Sequence, residues 1–398
     1  MAPMRKVAAA LLLQLTVLIA AAPASAEPGW DRVEAPATSG RAHVYRAATP
    51  FGQKSVWAAG YTYGLIGGTI EWRTLIQRWD GYRWTQYPTP NRETAPARNM
   101  LFDVSAAGIT RAWAVGSAAP AIGTAGTVPL ILYWNGVSWS FVDGPANFPG
   151  ALTVVGAGPD GTVVIGGEGR NLQTLYAIPA LWQRVGAGWQ ELPFPAVPGC
   201  ATSSNGQMVR AELTDITARR LAATWVTGYC AVPGGGERGF LVRYDGTSWI
   251  PLLTPDTLAR FGPRGQLNGV SQAPDGDLWA VGWSDDGGVN ARPVAFRGRY
   301  GAVRPIAAPA QGNGAALYAV AADRGGTAVA AGTYTRPTDS APHPHVMGPD
   351  GAGGFAVEPA EQSTVGNLYG VALAADGIAW AVGVSSWDDR GLIMKRTP

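Results

Sequence analysis

Leu267-Asn-Gly-Val-Ser-Gln-Ala-Pro-Asp-Gly-Asp-Leu-Trp279-Ala-Val-Gly282 is the stretch on which the fold turns. It places two short apolar runs on either side of Pro274-Asp275-Gly276, and Asp-Gly is a strong hairpin signal because glycine takes positive φ without steric cost. The pattern predicts two antiparallel strands. The second of them recurs as Trp57-Ala-Ala-Gly60, Trp113-Ala-Val-Gly116, Trp225-Val-Thr-Gly228 and Trp380-Ala-Val-Gly383, with degenerate copies at Val164-Ile-Gly-Gly167 and Val329-Ala-Ala-Gly332. Twelve residues before each stands an apolar residue: Tyr45, Leu101, Leu152, Leu213, Leu267, Leu317 and Leu368. The pattern therefore has seven copies, 50 to 61 residues apart, and self-similarity at such a period marks a repeat architecture.

Working outward, a third and a fourth strand follow: Leu75 to Trp79 and Trp84 to Tyr87 around Asp80-Gly81, then Leu130 to Trp134 and Trp139 to Val142 around Asn135-Gly136. Proline six residues after the fourth-strand aromatic, as in Trp84/Pro90 and Trp249/Pro255, sits where no ladder donor is lost. These elements predict an all-β, seven-bladed β-propeller with four antiparallel strands per blade. So small a unit cannot bury both sheet faces alone, whereas radial stacking buries them against neighbours, with tryptophans filling the wedges. The last copy stops after its third strand at Leu392 to Arg396, and Gly29-Trp30-Asp31-Arg32-Val33-Glu34-Ala35-Pro36 reads as an isolated fourth strand. Residues 27–36 are therefore expected to complete the last blade and close the ring, which makes 27–398 one domain without an open edge.

Second strands ending in Gly or Gly-Gly, an aromatic-Asp/Asn-Gly turn, and Trp-x-x-apolar-x-x-Pro resemble kelch repeats; Val164-Ile165-Gly166-Gly167 with Trp189-Gln-Glu-Leu-Pro is the best single copy. The resemblance spans the mature chain, in the style of secreted actinobacterial propellers with Trp-Ala-Val-Gly repeats. It implies a propeller with a binding role and names no ligand. Galactose-oxidase-like copper enzymes also use such propellers, but the three histidines, His43, His343 and His345, include no Tyr-His pair. The Asp80 and Asp245 turns are partly similar to sialidase Asp boxes and lack the opening Ser/Thr.

Residues 1–26 read as a secretory signal peptide: Arg5 and Lys6, an apolar run from Val7 to Ala22, then Ala24-Ser25-Ala26 before Glu27. The 398 residues carry 30 Lys+Arg against 28 Asp+Glu, so removing that segment leaves 28 against 28 (30 less Arg5 and Lys6). A neutral body offers no basic footprint for nucleic acid. The expectation is a secreted, extracellular, monomeric protein that leaves the membrane once the leader is removed. Cys200 and Cys230, the only cysteines, are expected to form a disulfide in that compartment.

Topology puts the loops that vary most in length, Tyr61 to Thr74, Ser117 to Pro129, Ala196 to Arg210 and Asp256 to Gln266, on one face, the expected binding face. Thirteen of the sixteen tryptophans occupy repeat positions; Trp72, Trp283 and Trp387 are left over on this face. With Tyr61, Tyr229, Asp285 and Asp388 they form the candidate ligand-binding set, since aromatic planes beside carboxylates suit sugar recognition. Asp103 and Asp215 share one position in two first strands, where they either face the channel or bond backbone amides. His343-Pro344-His345 reads as a solvated loop, and no catalytic set, metal site or cofactor is expected. The chain thus reads as a non-catalytic module for an extracellular glycan or protein. A carbohydrate-active hydrolase or lyase with its site at the channel mouth is the alternative.

Overall fold

The computed structural model describes residues 29–92, 97–120, 126–170, 177–204, 206–287, 290–299, 301–323, 325–387 and 390–397. The expected leader, 1–26, and the candidate Asp388 lie outside them. Strands dominate, helix is confined to Pro255–Leu258 and two single 3-10 turns, and no described helix is long and apolar enough to cross a membrane.

Each sequence copy folds as four antiparallel strands joined in chain order. Five sheets have four strands, and an eight-stranded sheet joins the first two copies through a single parallel bridge between Trp72 and Arg98. Hydrogen bonding therefore does not run round the molecule as one continuous sheet. The last sheet takes its fourth strand from the N-terminus: Gly29–Arg32 pairs antiparallel with Gly391–Thr397, Trp30 opposite Arg396. Trp30 is buried; its indole donates to Glu358 (2.8 Å), whose carboxylate also takes both arms of Arg396 at 2.6 and 2.8 Å.

Neighbouring sheets meet through side chains. One core cluster joins repeats 1 and 2 through Trp57, Ile76, Leu101 and Trp134; another joins repeats 7 and 1 through Trp380, Ile393, Tyr45 and Trp84. Two physical rules explain the repeat. The first concerns its glycine: at Gly60, Gly116, Gly167, Gly228, Gly282, Gly332 and Gly383 an added Cβ would lie 1.8 to 2.2 Å from a carbonyl oxygen of the facing first strand. No larger residue fits so close a backbone approach, which is why all seven copies keep Gly while the Trp is dispensable in two. The second concerns the tryptophan, whose face is covered by a cation directly across the strand pair: Arg78 on Trp57, Arg243 on Trp225, Arg297 on Trp279 and Lys395 on Trp380, at 4.6 to 5.8 Å.

Two expectations about loops are corrected. The stretch from Tyr61 to Thr74 is a hairpin: strands Ser55–Ile66 and Thr69–Trp79 keep pairing past Gly60 and turn at Gly67-Gly68, both at positive φ. Trp72 is therefore a strand residue, and so is Trp283, in Leu278–Asp285. His343 and His345 sit in strand Pro342–Pro349, which is buried on both faces from 343 to 348. They are not in a solvated loop.

Candidate functional site

A bulge at one fixed place in every first strand builds the site. Between first and second strands the register slips at Tyr45/Ala47, Leu101/Asp103, Leu152/Val154, Leu213/Asp215, Leu267/Gly269, Leu317/Ala319 and Leu368/Gly370. A bulge leaves one residue unpaired and re-aims its side chain. Those residues are Arg46, Phe102, Thr153, Thr214, Asn268, Tyr318 and Tyr369, and all seven line one central cavity of about 190 Å³.

Along repeats 2 to 5 the wall is stitched from each first strand to the next. Asp103 accepts the Val104 and Val155 amides at 2.7 Å, and the Thr153 hydroxyl donates to the Leu213 carbonyl at 3.1 Å. Thr214 donates to Leu267 at 2.5 Å, Asp215 accepts the Ile216 and Val270 amides at 2.7 and 2.8 Å, and Asn268 donates to Leu317 at 2.8 Å. Of the two roles open to the aspartates, amide binding is the observed one. Burial pushes Asp103 well above the ordinary carboxylate range, with repulsion from Asp215 adding to it, and pushes Asp215 up to about 7; the amide bonds oppose the shift without cancelling it.

Repeats 6, 7 and 1 differ. Among the described residues no side chain–backbone bond crosses from the first strand of repeat 6 to that of repeat 7, or from 7 to 1. The bulge residues face one another instead: the Tyr318 and Tyr369 rings are 5.7 Å apart, and the Arg46 guanidinium lies 4.5 Å over Tyr369. Tyr61 adjoins this group; burial raises its hydroxyl's pKa and the Arg46 charge pulls it back. Arg46 has no hydrogen bond or ion pair with any described residue.

The candidate set from the sequence does not converge on one place. Tyr61 alone is coupled electrostatically to Arg46 and Tyr369, although it does not itself line the cavity. Trp72 stacks on Tyr63 at 6.4 Å with Arg98 on its other contact at 5.6 Å, so its faces are already engaged. Trp283 is half-buried against Phe261, Leu267 and Val294. Tyr229 donates to Glu212, and Asp285 is buried, accepting the Gly287 amide and pairing with Arg264. Trp387 is 77% exposed, and its ring stacks on no other described aromatic ring. Cys200 and Cys230 form a disulfide, with Cα atoms 5.7 Å apart. Arg46, Tyr318 and Tyr369 escaped the sequence reading although a signal existed: each directly follows the apolar residue that opens its repeat, a column otherwise filled by Phe, Thr, Thr and Asn.

A larger cleft of about 1350 Å³ lies where the N-terminal segment crosses repeat 1. Several of its polar groups are paired, Arg41 with Glu71, His43 Nε2 accepting the Thr38 amide and Tyr45 donating to Gln77, while the second terminal nitrogen of Arg41 is buried without a hydrogen bond to a described residue. Among the described residues no group of three His, Cys, Asp or Glu is placed to hold a metal ion.

No protein-family model matches the chain, and no curated protein sequence does. Solved structures do. A Dyadobacter fermentans protein of unknown function superposes with a TM-score of 0.50 at 10% identity, over 93% of this chain and 97% of its own. The GH74 xyloglucanase of Xanthomonas campestris gives 0.55 at 16% identity over 92% of this chain, which spans only 55% of that enzyme. The WD40 β-propeller domain of Doa1 gives 0.47 at 12% identity. At such identities the likeness to the first two concerns the fold alone, and the four-stranded antiparallel sheets around a shared cavity make that fold a β-propeller.

Proposed function

We propose that the chain is an exported, kelch-like propeller of seven blades, its ring sealed by Gly29–Arg32, that works as a non-catalytic binding module for an extracellular glycan. The ligand rests on the arc formed by Arg46, Tyr318 and Tyr369. One observation carries the reading: the two cavity carboxylates are tied to four backbone amides, whereas the guanidinium and the tyrosine hydroxyls make no hydrogen bond to another described residue. Glycoside hydrolysis asks for a pair of carboxyl groups free to pass a proton or attack carbon. Sugar binding asks only for a rigid aromatic surface with donors at its edge. Between a glycan and a protein partner, the small size of the cavity, about 190 Å³, favours the smaller contact.

The test is a glycan array probed with the purified mature protein, followed by titration calorimetry on the hits. Tyr369→Ala and Tyr318→Ala should weaken binding at least about tenfold, roughly 1.4 kcal/mol, with unchanged circular dichroism. Release of sugar from any hit, abolished by Asp215→Asn, overturns the non-catalytic reading in favour of a hydrolase or lyase.

A further inference from the structure

Resting on the binding role just proposed, the geometry points to a ligand class: we infer that the cavity takes a single carboxylate-bearing sugar residue, with Arg46 as the carboxylate's partner. Three observations converge on this. The first is the state of Arg46. Its guanidinium lies 4.5 Å over the Tyr369 ring, so one planar face is covered while the N–H donors, which lie in the guanidinium plane, stay at its rim. An arginine lining a cavity without any hydrogen bond or ion pair to a described residue is a planar fork set for an anion, and the two-oxygen geometry of a carboxylate matches it.

The second is the surroundings. Tyr318 stands beside Tyr369 at a tilt of 44°, giving an apolar ring face next to the charge, and the Tyr318 and Tyr369 hydroxyls belong to the same wall. A sugar acid presents this combination, a carboxylate on a ring that also has apolar C–H faces and hydroxyls. A simple inorganic anion would leave the aromatic surface unused. The other charges at the wall, Asp103 and Asp215, are each held by two amide N–H groups, which offset negative charge facing the ligand.

The third is size. A partly open cavity of about 190 Å³ is on the scale of a single sugar ring. Recognition is therefore end-on, of a free sugar acid or of the terminal residue of a polymer.

Titration calorimetry on the mature protein with glucuronate, its methyl ester, glucose and a glucuronate-terminated oligosaccharide tests the inference. Glucuronate should bind at least about tenfold tighter than its methyl ester or glucose, and the preference should shrink as salt is raised. Arg46→Gln should remove the preference, and Arg46→Lys should keep part of it. A free sugar acid as ligand predicts equal affinity for monosaccharide and oligosaccharide; a polymer end predicts a tighter oligosaccharide. Equal binding of acid and ester, both weakened by Tyr369→Ala, overturns the carboxylate inference and leaves the binding role standing. If none of the four binds at roughly 10 mM, the carboxylate inference is overturned. An array hit indifferent to Tyr369→Ala overturns the cavity as the binding site as well.

Discussion

The two arcs of the cavity wall are built on the same backbone and hold it together differently. From repeat 2 to repeat 5, Asp103, Thr153, Thr214, Asp215 and Asn268 tie each first strand to the next. From repeat 6 through 7 to 1, the bulge positions carry Tyr318, Tyr369 and Arg46, which touch each other and, among the described residues, make no hydrogen bond to a neighbouring repeat. Support for the second arc has moved outward. Trp30, Glu358 and Arg396 clamp repeats 6 and 7 at the rim, and Trp79, Trp84 and Trp380 pack at 4.6 to 6.0 Å between 7 and 1. A wall with its polar groups bonded internally is structure; one that leaves them open while the rim holds the fold is a place for something else.

The largest effect should come from breaking the rim. A chain beginning at Ala37 loses Trp30 with its bond to Glu358 and the whole Gly29–Arg32 pairing, and leaves Glu358 with Arg396 alone. Removal of a buried Trp alone costs about 3–5 kcal/mol. Cooperative thermal unfolding should be lost or moved far down, and an unchanged Tm would show that the rim is not what holds the open arc.

Breaking a stitch comes next. Asp215→Ala leaves the Ile216 and Val270 amides without their side-chain acceptor, at a cost of about 2–4 kcal/mol in chemical denaturation. Asp103→Ala should match it through Val104 and Val155. If either variant is as stable as wild type, the stitched arc is not load-sharing.

The same carboxyls set a smaller, pH-dependent signature. In the folded protein both release their protons at higher pH than in the unfolded chain, Asp215 at about 7 against an ordinary value of 3.8. Between those limits the folded state holds more protons, so their contribution is full below about pH 4 and declines as pH rises towards 7. Asp215→Asn should flatten that slope in denaturation curves taken across the interval; a slope that persists unchanged assigns it elsewhere.

The smallest effect on stability belongs to the open arc. Arg46→Ala and Tyr318→Ala remove no bond to a neighbouring repeat and should change unfolding free energy by less than about 1 kcal/mol. A loss as large as that of Asp215→Ala would erase the distinction between the arcs.

Much of the fold was legible because the repeat obeys steric rules that act on single residues. A glycine pressed on a carbonyl, an Asp or Asn bonding the amides of its own turn as Asp245 does with Thr247 and Ser248, and a wedge-filling Trp each leave one letter at a fixed spacing. The site was harder to read. Its residues occupy a bulge, and a bulge leaves the apolar alternation on either side intact, so nothing in that pattern says that Arg46 or Tyr369 turns into the cavity. The sequence pointed instead to aromatics outside the repeat columns, and two of these had another explanation. Trp72 and Trp283 extend strands past the expected boundary, where pairing partners set their position.

The bulge also has a consequence for how such a protein changes. Because the bulged residue is unpaired, Arg46, Phe102, Tyr318 and Tyr369 can be exchanged without altering ladder register, and none of the four belongs to a core cluster. The molecule behaves as a socket with four editable contacts on a frame that does not register the edit. A combinatorial library at those positions, built on the native rim and stitches, would let one scaffold be re-addressed to new ligands one side chain at a time.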